Sequence, residues 1–208
     1  MDANFNQRDA LFQKLRFCLA RGALRDAAVE ARRRVYASEL GFHGVDEFDE
    51  TARHVVAMDQ EENLVAGCRM LGPERRPLEI ESNVDLNALI GESRCPAQIG
   101  GLWVGPEHRN PRQGLLIQLG LMRCLCLIAD RTEASDLVLR THVQQMKNLY
   151  KRIGFIERPG FGYRHPQWGE VFVMSLDLVG LRSSAAAVTD SVVMFLLNGE
   201  IENQDLAD

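Results

Sequence analysis

The segment Val104-Gly-Pro-Glu-His-Arg-Asn-Pro-Arg-Gln-Gly114 joins a predicted buried strand, Ile99 to Val104, to a predicted apolar helix, Gly114 to Ala129. The first backbone N–H groups of a helix have no intrahelical partners, and the helix dipole places positive charge at the same end. A strand, a turn and a helix start in this order can therefore hold a phosphate through backbone groups. We expect this segment to bind the phosphate of a cofactor.

The overall composition is that of one soluble globular domain. The chain has 208 residues, of which 46% are hydrophobic and 25% are charged. The net charge of −5 argues against nucleic acid as the main partner, because phosphate backbones bind to basic surfaces. The apolar runs are interrupted well short of the ~20 residues that span a bilayer. We therefore expect no membrane span and no nucleic-acid partner.

The cysteines indicate the cellular compartment. They form no CxxC pair and no metal-ligand spacing, their number is odd, and the acidic and polar N-terminus carries no secretory segment. We therefore expect a reduced, cytoplasmic protein without a metal site, in which these residues pack as small apolar side chains. The cysteines are Cys18, Cys68, Cys95, Cys124 and Cys126.

Helical and strand periodicities alternate along the chain. An N-terminal amphipathic helix is predicted for residues 8–20, because Leu11, Leu15, Cys18 and Leu19 recur at helical spacing. The further predicted elements are a helix at 25–40, a hairpin of strands at 54–58 and 64–71, a strand at 99–104, a helix at 114–129, a strand at 136–141, a helix at 143–152 and a strand at 170–178. This order predicts an α+β fold in which helices flank one mixed sheet.

The composition changes after Gly180. Residues 181–208 are first small and polar, then apolar, and finally acidic, which indicates a helix or an oligomer contact such as that of a homodimer. We therefore assign residues 1–180 to the α+β domain and residues 181–208 to a C-terminal tail.

Two motifs resemble the GCN5-related N-acyltransferase (GNAT) superfamily. Four positions fit its donor-loop pattern Val-x-Pro-x-x-Arg-x-x-Gly-x-Gly/Ala, namely Val104, Pro106, Arg109 and Gly114. Arg112 replaces the first glycine of that pattern. The segment Asn148-Leu-Tyr-Lys-Arg-Ile-Gly-Phe155 resembles the Leu-Tyr-x-x-x-Gly-Phe signature of the superfamily. The resemblance implies a splayed central β-sheet flanked by helices, and direct attack of an amine on an acyl thioester without a covalent enzyme intermediate.

In this superfamily two adjacent parallel strands part and expose backbone groups that hold the pantetheine arm of the donor. The pair Gly100-Gly101 could disrupt the ladder here, so that Leu102, Trp103 and Val104 present free N–H and C=O groups. A backbone N–H near Leu102 to Val104 could then stabilise the oxyanion, an interaction worth roughly 3 kcal/mol. The alternative is that the two glycines only relieve crowding beside a helix.

The proton-transfer residues are harder to assign. The resemblance implies that Tyr150 protonates the leaving thiolate, and the alternative is a core tyrosine. Many relatives carry a glutamate on the strand that enters the donor loop, but this strand begins with Gln98, which takes no proton. His142, His54 or a water molecule could act as the general base, although either histidine could instead be structural.

The altered donor loop bears on the choice of acyl donor. Arg112 stands where a glycine lets backbone amides close on the pyrophosphate of coenzyme A, and Pro111 removes one amide. A donor without the nucleotide, acyl-phosphopantetheine on acyl carrier protein, needs only one phosphate contact and basic groups that face the acidic carrier. Acyl-CoA is the alternative donor. The expected donor-binding residues are Leu102, Trp103, Val104, Arg109, Arg112, Gln113, Gly114 and Leu115.

A second resemblance, over residues 30–75, points to enzymes that use acyl carrier protein. Four segments follow an order that looks like the acyl-homoserine-lactone synthases and the long-chain N-acyl amino acid synthases: Arg34-Val-Tyr36, Glu39-Leu-Gly-Phe42, Asp46-Glu-Phe-Asp49 and Ala66-Gly-Cys-Arg-Met-Leu71. The Glu-x-x-Arg of the lactone synthases is here Gln98-Ile-Gly-Gly101, which counts against S-adenosylmethionine as substrate. The residues implied to orient the acceptor or to order a lid are Arg34, Asp46, Asp49, Arg69 and Gln98. Alternatively, the acids lie in a surface loop and the arginines pair with them.

The leading hypothesis is transfer of a long-chain acyl group from acyl carrier protein to the amine of an amino acid or similar small acceptor. Proximity and orientation can supply much of the rate enhancement, so no resident cofactor or metal is needed. The two alternatives are an acetyl-CoA-dependent N-acetyltransferase and a non-catalytic binding module with the same fold. The missing glutamate and the imperfect glycine loop favour the last of these.

Overall fold

The computed structural model describes residues 12–184, 190–199 and 204–206. The helices are α1 (Gly22–Leu40), α2 (Leu86–Ile90), α3 (Pro111–Arg131), α4 (Gln144–Arg152), α5 (Leu178–Ser183) and α6 (Ser191–Asn198). The strands are β1 (Arg16–Ala20), β2 (Arg53–Met58), β3 (Leu64–Leu71), β4 (Pro96–Val104), β5 (Asp136–Thr141), β6 (Ile156–Glu157), β7 (Tyr163–His165), β8 (Gly169–Asp177) and β9 (Gln204–Asp205). These elements form two compact units, Met1–Met70 with Gly101–Ile128 and Gly199–Asp208, and Leu71–Gly100 with Ala129–Asn198.

The first unit contains a meander of β1, β2 and β3, with the short β9 parallel to β1. Val55, Val56 and Ala57 on β2 are fully buried, so the middle strand of the meander is covered on both faces. Helix α1 packs Ala28 against this sheet. The helix ends at Gly41, whose left-handed φ of 72° makes glycine the natural C-cap residue.

The predicted helix at 8–20 is wrong for its second half. Arg16–Ala20 is strand β1, which pairs antiparallel with β2, while residues 8–11 lie outside the described part of the chain. Phe17 and Cys18 are neighbours in sequence and both are buried, so this strand has no polar face and its apolar spacing also fits a helix. Pairing with β2 provides hydrogen-bond partners for the backbone N–H and C=O groups of the segment, and this favours the strand over the helix.

The second unit is built on an antiparallel pair, β5 and β8, whose register is continuous from Asp136↔Asp177 to Thr141↔Phe172. Strands β6 and β7 pair with the other edge of β8. The first residues of β4 pair parallel with β5, so this sheet is mixed. The predicted mixed sheet with flanking helices is therefore confirmed.

The other predicted elements match the structure closely. The helix at 25–40 is part of α1, the hairpin is β2 and β3, and the strand at 136–141 is β5. Helix α3 is long and apolar enough by composition to cross a membrane, but 61% of its most apolar window is buried, as in the core helix of a soluble domain. The domain boundary at residue 180 stays a prediction, and within the predicted tail residues 191–198 form α6.

Candidate functional site

Backbone amides of the loop after β4 donate hydrogen bonds to carbonyl groups of β3 and of the loop itself. The N–H of Gly105 donates to the carbonyl of Val65 (2.8 Å), which joins the loop to β3. A 3-10 turn over Pro106–His108 follows, in which the N–H of His108 donates to the carbonyl of Gly105 (2.9 Å). The N–H of Arg109 donates to the carbonyl of Pro106 (3.3 Å). Fewer amides of this loop point outward than the sequence predicted.

Asn110 caps the start of α3. Its Oδ1 accepts a hydrogen bond from the N–H of Gln113 (2.9 Å), and its Nδ2 donates to Oε1 of Gln113 (2.8 Å). This amide is therefore occupied, and an anion that binds it would have to displace the Asn110 side chain. The sequence carried the signal, since asparagine followed by proline is typical of a helix N-cap and first turn.

The two arginines of the donor loop differ in environment. Arg109 donates from Nε to the carbonyl of Val104 (2.8 Å) and forms an ion pair with Glu39 at the end of α1. Its guanidinium is thus held in one place and partly neutralised. Arg112 lies exposed on the first turn of α3. The contacts of Arg109 thus position its guanidinium beside the loop backbone.

Gly114 lies against the loop backbone, but the contacts there do not require glycine. A Cβ there would lie 3.5 Å from Cα of Arg109, which is ordinary van der Waals contact. Gly114 itself is buried and the neighbouring Leu115 is half-buried. This approach fixes the loop backbone beside the first turn of the helix.

The predicted oxyanion segment at the end of β4 is partly engaged in the fold. The carbonyl of Leu102 accepts a hydrogen bond from the hydroxyl of Tyr36 (3.0 Å). Trp103 and Val104 are buried, and the Trp103 indole occupies the space beside Gly67, where a Cβ would lie 2.8 Å from Nε1. A role for a backbone N–H of this segment in oxyanion binding stays a prediction.

The ladder between β4 and β5 ends early. The paired residues are Pro96↔Asp136, Ala97↔Leu137 and Gln98↔Val138. Beyond this point β5 continues to Thr141, and β4 continues through Ile99 and Gly100. Gly101 then has a φ of 60°, a conformation that favours glycine. This interruption is the kind of strand parting that the glycine pair predicted.

Gln98, the last residue of β4 that pairs with β5, donates a hydrogen bond to a carboxylate from another segment. Its side chain is 3% exposed, its Oε1 accepts from the N–H of Ile80 (2.8 Å), and its Nε2 donates to Oε2 of Glu79 (2.8 Å). The other oxygen of Glu79 forms an ion pair with Arg140 on β5. Arg140 also donates to the hydroxyl of Tyr163 (3.0 Å).

Glu79 and Arg140 carry no signal in the sequence that marks them as site residues. Residue 79 is 19 positions from Gln98 and 61 from Arg140, so no local spacing relates the three. Glu79 begins a short 3-10 turn, Glu79–Ser82, whose place beside β4 is a tertiary feature. The fold thus restores a carboxylate close to the position where the sequence lacked one.

The two predicted proton-transfer residues of the second unit lie in different surroundings. The ring of His142 stacks on Trp168 (5.6 Å between centroids), and Trp168 stacks on His165 (4.0 Å). Partial burial, with the nearby His165, lowers the pKa of His142, which keeps its ring neutral at pH 7. Tyr150 is 7% exposed and packs edge-on against Phe155. The catalytic roles of both residues stay predictions.

A buried ionic cluster joins the other predicted residues. Arg69 donates to both carboxylate oxygens of Asp46 (2.6 and 2.7 Å) and to Oδ1 of Asp49 (2.7 Å). Oδ2 of Asp49 accepts from Arg32. Burial alone would raise the pKa of Asp49, but the hydrogen bonds and charges of the two arginines outweigh it and the net pKa is lowered. The predicted alternative, pairing of an arginine with these acids, is what the structure shows for Arg69.

Arg34 is not part of this cluster. Its side chain is 73% exposed and lies 4.0 Å from Glu30, whereas Arg32 is 2% exposed. Two residues on a helix are separated by about 200°, so Arg32 faces the interior with Ala28 and Ala31 while Arg34 faces solvent. Arg34 therefore does not pair with these acids, and its role in orienting an acceptor stays a prediction.

His54, the other candidate base, supports the cluster from β2. It is 4% exposed, and its Nε2 lies 2.9 Å from the carbonyl oxygen of Asp49. Burial lowers the pKa of His54, and the neutral ring donates to that carbonyl. These contacts give His54 a structural role.

Comparisons with known proteins agree with this architecture. Residues 29–118 match the family model of an acetyltransferase (GNAT) domain. FeeM, an N-acyl amino acid synthase from uncultured soil microbes, is similar with a TM-score of 0.66 and 18% identity over 83% of this chain and 96% of that chain. BjaI, a CoA-dependent acyl-homoserine lactone synthase solved with SAM and isopentyl-CoA, is similar with a TM-score of 0.63 and 14% identity over 93% of both chains.

TofI, solved with an inhibitor and MTA, has a TM-score of 0.56 and 18% identity over 79% of this chain and 91% of that chain. No curated protein matches the chain by sequence. At these identities the structural likeness shows a shared fold. The match of residues 29–118 and the shared fold confirm the resemblance to the GNAT superfamily.

Proposed function

We propose that this chain, which contains a GNAT acetyltransferase domain and has the GNAT acyltransferase fold, transfers an acyl group from a thioester to an amine. The early end of the β4–β5 ladder carries the proposal, because strands that part expose backbone groups to the amide-rich arm of a pantetheine thioester. The amine attacks the thioester directly, and the fold contributes orientation and electrostatic stabilisation.

The proposed donor is an acyl group on the phosphopantetheine of acyl carrier protein. Asn110 already caps the amide of Gln113, and Pro111 has no N–H to offer. This helix start suits one phosphate group better than the pyrophosphate of coenzyme A. Arg109 and the exposed Arg112 place positive charge beside it, where an acidic carrier would dock.

The proposed acceptor is an amino acid or a similar small amine. The similarity to an N-acyl amino acid synthase supports this choice. Glu79 and Arg140 also offer one negative and one positive group close to the strand parting, which suits a molecule that carries both charges. The acyl chain of the product is proposed to be long.

The test compares two donors with the same acyl chain. Purified protein is incubated with palmitoyl-acyl carrier protein or palmitoyl-CoA and each of the twenty amino acids, and N-palmitoyl products are quantified by mass spectrometry. We expect an N-acyl amino acid from the carrier-protein donor, with kcat/KM at least ~100-fold above that of the CoA donor, a difference of about 2.7 kcal/mol. Absence of N-acyl product from both donors would sink the proposal.

An acyl-CoA donor is the second candidate. The similarity to a CoA-dependent synthase of nearly equal TM-score favours it. Calorimetric titration with coenzyme A separates the two donors. Micromolar binding that Arg109→Ala weakens would support the CoA donor, and absence of binding would support the carrier protein.

A further inference from the structure

We infer that Glu79 accepts the proton released by the acceptor amine and that Gln98 positions its carboxylate for this step. The inference rests on the proposed acyl transfer. It assigns the general base, which the sequence left between two histidines and water. The contacts of Glu79, Gln98 and Arg140 carry it.

The position of Glu79 relates it to the strand parting. Gln98 is the last residue of β4 that pairs with β5, and Arg140 lies on β5 two residues beyond its partner Val138. Glu79 bridges these two side chains, so its carboxylate lies beside the point at which the strands part. If the pantetheine arm of the donor enters between β4 and β5 where their pairing ends, the carbonyl group of its thioester would lie near the carboxylate of Glu79.

The attachment of Glu79 is stiff. The backbone N–H of Ile80 donates to Gln98, while Glu79 itself accepts from the Gln98 amide. The Gln98 side chain and the 3-10 turn are therefore joined by two hydrogen bonds, one donated by the turn and one donated by Gln98. The side chains of Glu79 and Arg140 are 13% and 15% exposed, so the pair is largely shielded but reachable from solvent. A positioned group that can exchange protons with solvent has what a general base requires.

The proton balance of the step is simple. The neutral amine attacks the thioester carbonyl carbon, a C–N bond forms, and the carbonyl π pair moves to oxygen. The nitrogen becomes positively charged and acidic, and Glu79 takes one of its protons. The tetrahedral intermediate then collapses, the C–S bond breaks, and the thiolate leaves with the electron pair and takes one proton from solvent. Glu79 returns its proton to solvent, so amine and thioester give amide and thiol.

Arg140 suits this role as a partner of the base. Its guanidinium forms an ion pair with Glu79, lies 5.0 Å from the centre of the Trp168 ring and donates to the hydroxyl of Tyr163. Three contacts thus fix the cation in place.

The first test uses Glu79→Gln, with Glu81→Gln as matched control. Both glutamates lie in the same 3-10 turn and both form ion pairs with an arginine, but Glu81 pairs with Arg76. We expect Glu79→Gln to lower kcat about 100-fold or more, in the range known for general bases, with little change in the KM for the donor. Glu81→Gln should stay within threefold of wild type.

The second test exchanges the two side chains. In the double variant Glu79→Gln with Gln98→Glu, the hydrogen bond between the two side chains can form with its direction reversed, the N–H of Ile80 can still donate to residue 98, and the carboxylate moves to β4. We expect this variant to regain at least tenfold of the activity lost in Glu79→Gln, with the acidic limb of its pH–rate profile shifted from that of wild type. A purely structural role would move neither the pH profile nor the rate in this way.

Each outcome decides the inference. If wild type forms amide and Glu79→Gln keeps its kcat and pH profile, the inference fails and the proposed function stands. If wild type forms no amide with any donor, both fail. If the exchanged variant does not fold, Glu79→Ala is assayed with and without 100 mM formate, where at least a fivefold formate-dependent gain supports the inference and its absence overturns it.

Discussion

At the scale of single residues, the contrast between Arg32 and Arg34 separates a buried charge from an exposed one on the same helix. Arg32→Ala would leave Asp49 buried with only Arg69 as its cationic partner, and removal of one member of a buried ion pair costs roughly 3–5 kcal/mol. Arg34→Ala should change stability by less than about 0.5 kcal/mol. Urea unfolding of both variants measures the difference, and equal losses would contradict the cluster.

Gly100 and Gly101 provide a second matched pair. A Cβ at Gly101 would overlap Nη1 of Arg32 and would sit on a backbone with φ of 60°, whereas a Cβ at Gly100 meets nothing within 4 Å. We expect Gly101→Ala to destabilise the protein by about 2 kcal/mol or more, because the left-handed conformation and the overlap both act against it. Gly100→Ala should be nearly neutral in the same thermal or urea unfolding experiment. Comparable losses in the two variants would show that β4 does not lie against Arg32.

At the scale of elements, the end of α1 holds the arginine that the proposal assigns to the phosphate of the donor. Glu39 neutralises Arg109, so Glu39→Gln should release the guanidinium and strengthen binding of free phosphopantetheine. The ion pair is about one-third exposed, and such pairs are worth roughly 0.2–1 kcal/mol, so we expect a gain of up to about fivefold in calorimetry at low salt. Glu30→Gln on the same helix is the control. A weaker affinity in Glu39→Gln would show that the pair instead prepares Arg109 for the phosphate.

Local patterns predicted the elements well wherever each element had a polar face or clear end signals. The hairpin of β2 and β3, the strand β5 and the helices α1, α3 and α4 follow from periodicity and from glycine at helix ends. Strand β1 did not follow from periodicity, because a strand that is buried on both faces shows no alternation of apolar and polar residues. Its pairing with β2 is a contact between distant residues.

The candidate site was predicted unevenly for the same reason. Motifs located the donor loop, Asp46, Asp49 and Arg69, whose types and order are local features. The motifs could not locate Glu79 and Arg140, because these two residues meet only through the fold. The motifs also selected Arg34 and not Arg32, because a helix segment rich in charged residues does not show which arginine faces inward. Helical phase relative to Ala28 and Ala31 was the available signal for Arg32.

At the scale of the whole molecule, each of the two units contains an ionic cluster around a buried aspartate, Asp49 in the first and Asp136 in the second. In the first unit Arg32 and Arg69 face two aspartates, and in the second unit Arg94 bridges Asp136 and Asp177. Breaking a buried pair is far more costly than its net contribution to folding, so these clusters specify which side chains come together more than they add stability. Despite burial, which raises them, the pKa values of Asp49 and Asp177 are lowered by their arginine partners, so protonation of these two acids is one route by which acid destabilises the fold.

The histidines make the free energy of unfolding depend on pH closer to neutrality than the aspartates do. Burial lowers the pKa of His54 and of His142, so the unfolded chain takes up these protons at a higher pH than the folded protein. The free energy of unfolding should therefore fall as pH drops below about 6.5, the ordinary histidine value, and level off at the lowered pKa values of the folded state. The lowered pKa of Asp49 adds a separate loss at more acidic pH, because its stabilising effect is present above the unfolded value and disappears as pH falls through the folded one.

His54→Gln tests the first part of this pH dependence. Glutamine cannot titrate, but its side-chain amide can still donate to the Asp49 carbonyl in place of the imidazole. Urea unfolding at pH 7.5, 6.5 and 5.5 should show a smaller drop in the free energy of unfolding for this variant than for wild type. Exposed His43→Gln should reproduce the wild-type drop. A wild-type drop in His54→Gln would mean that His54 does not resist protonation in the folded protein, and the pH dependence would then have to come from His142 and the acids.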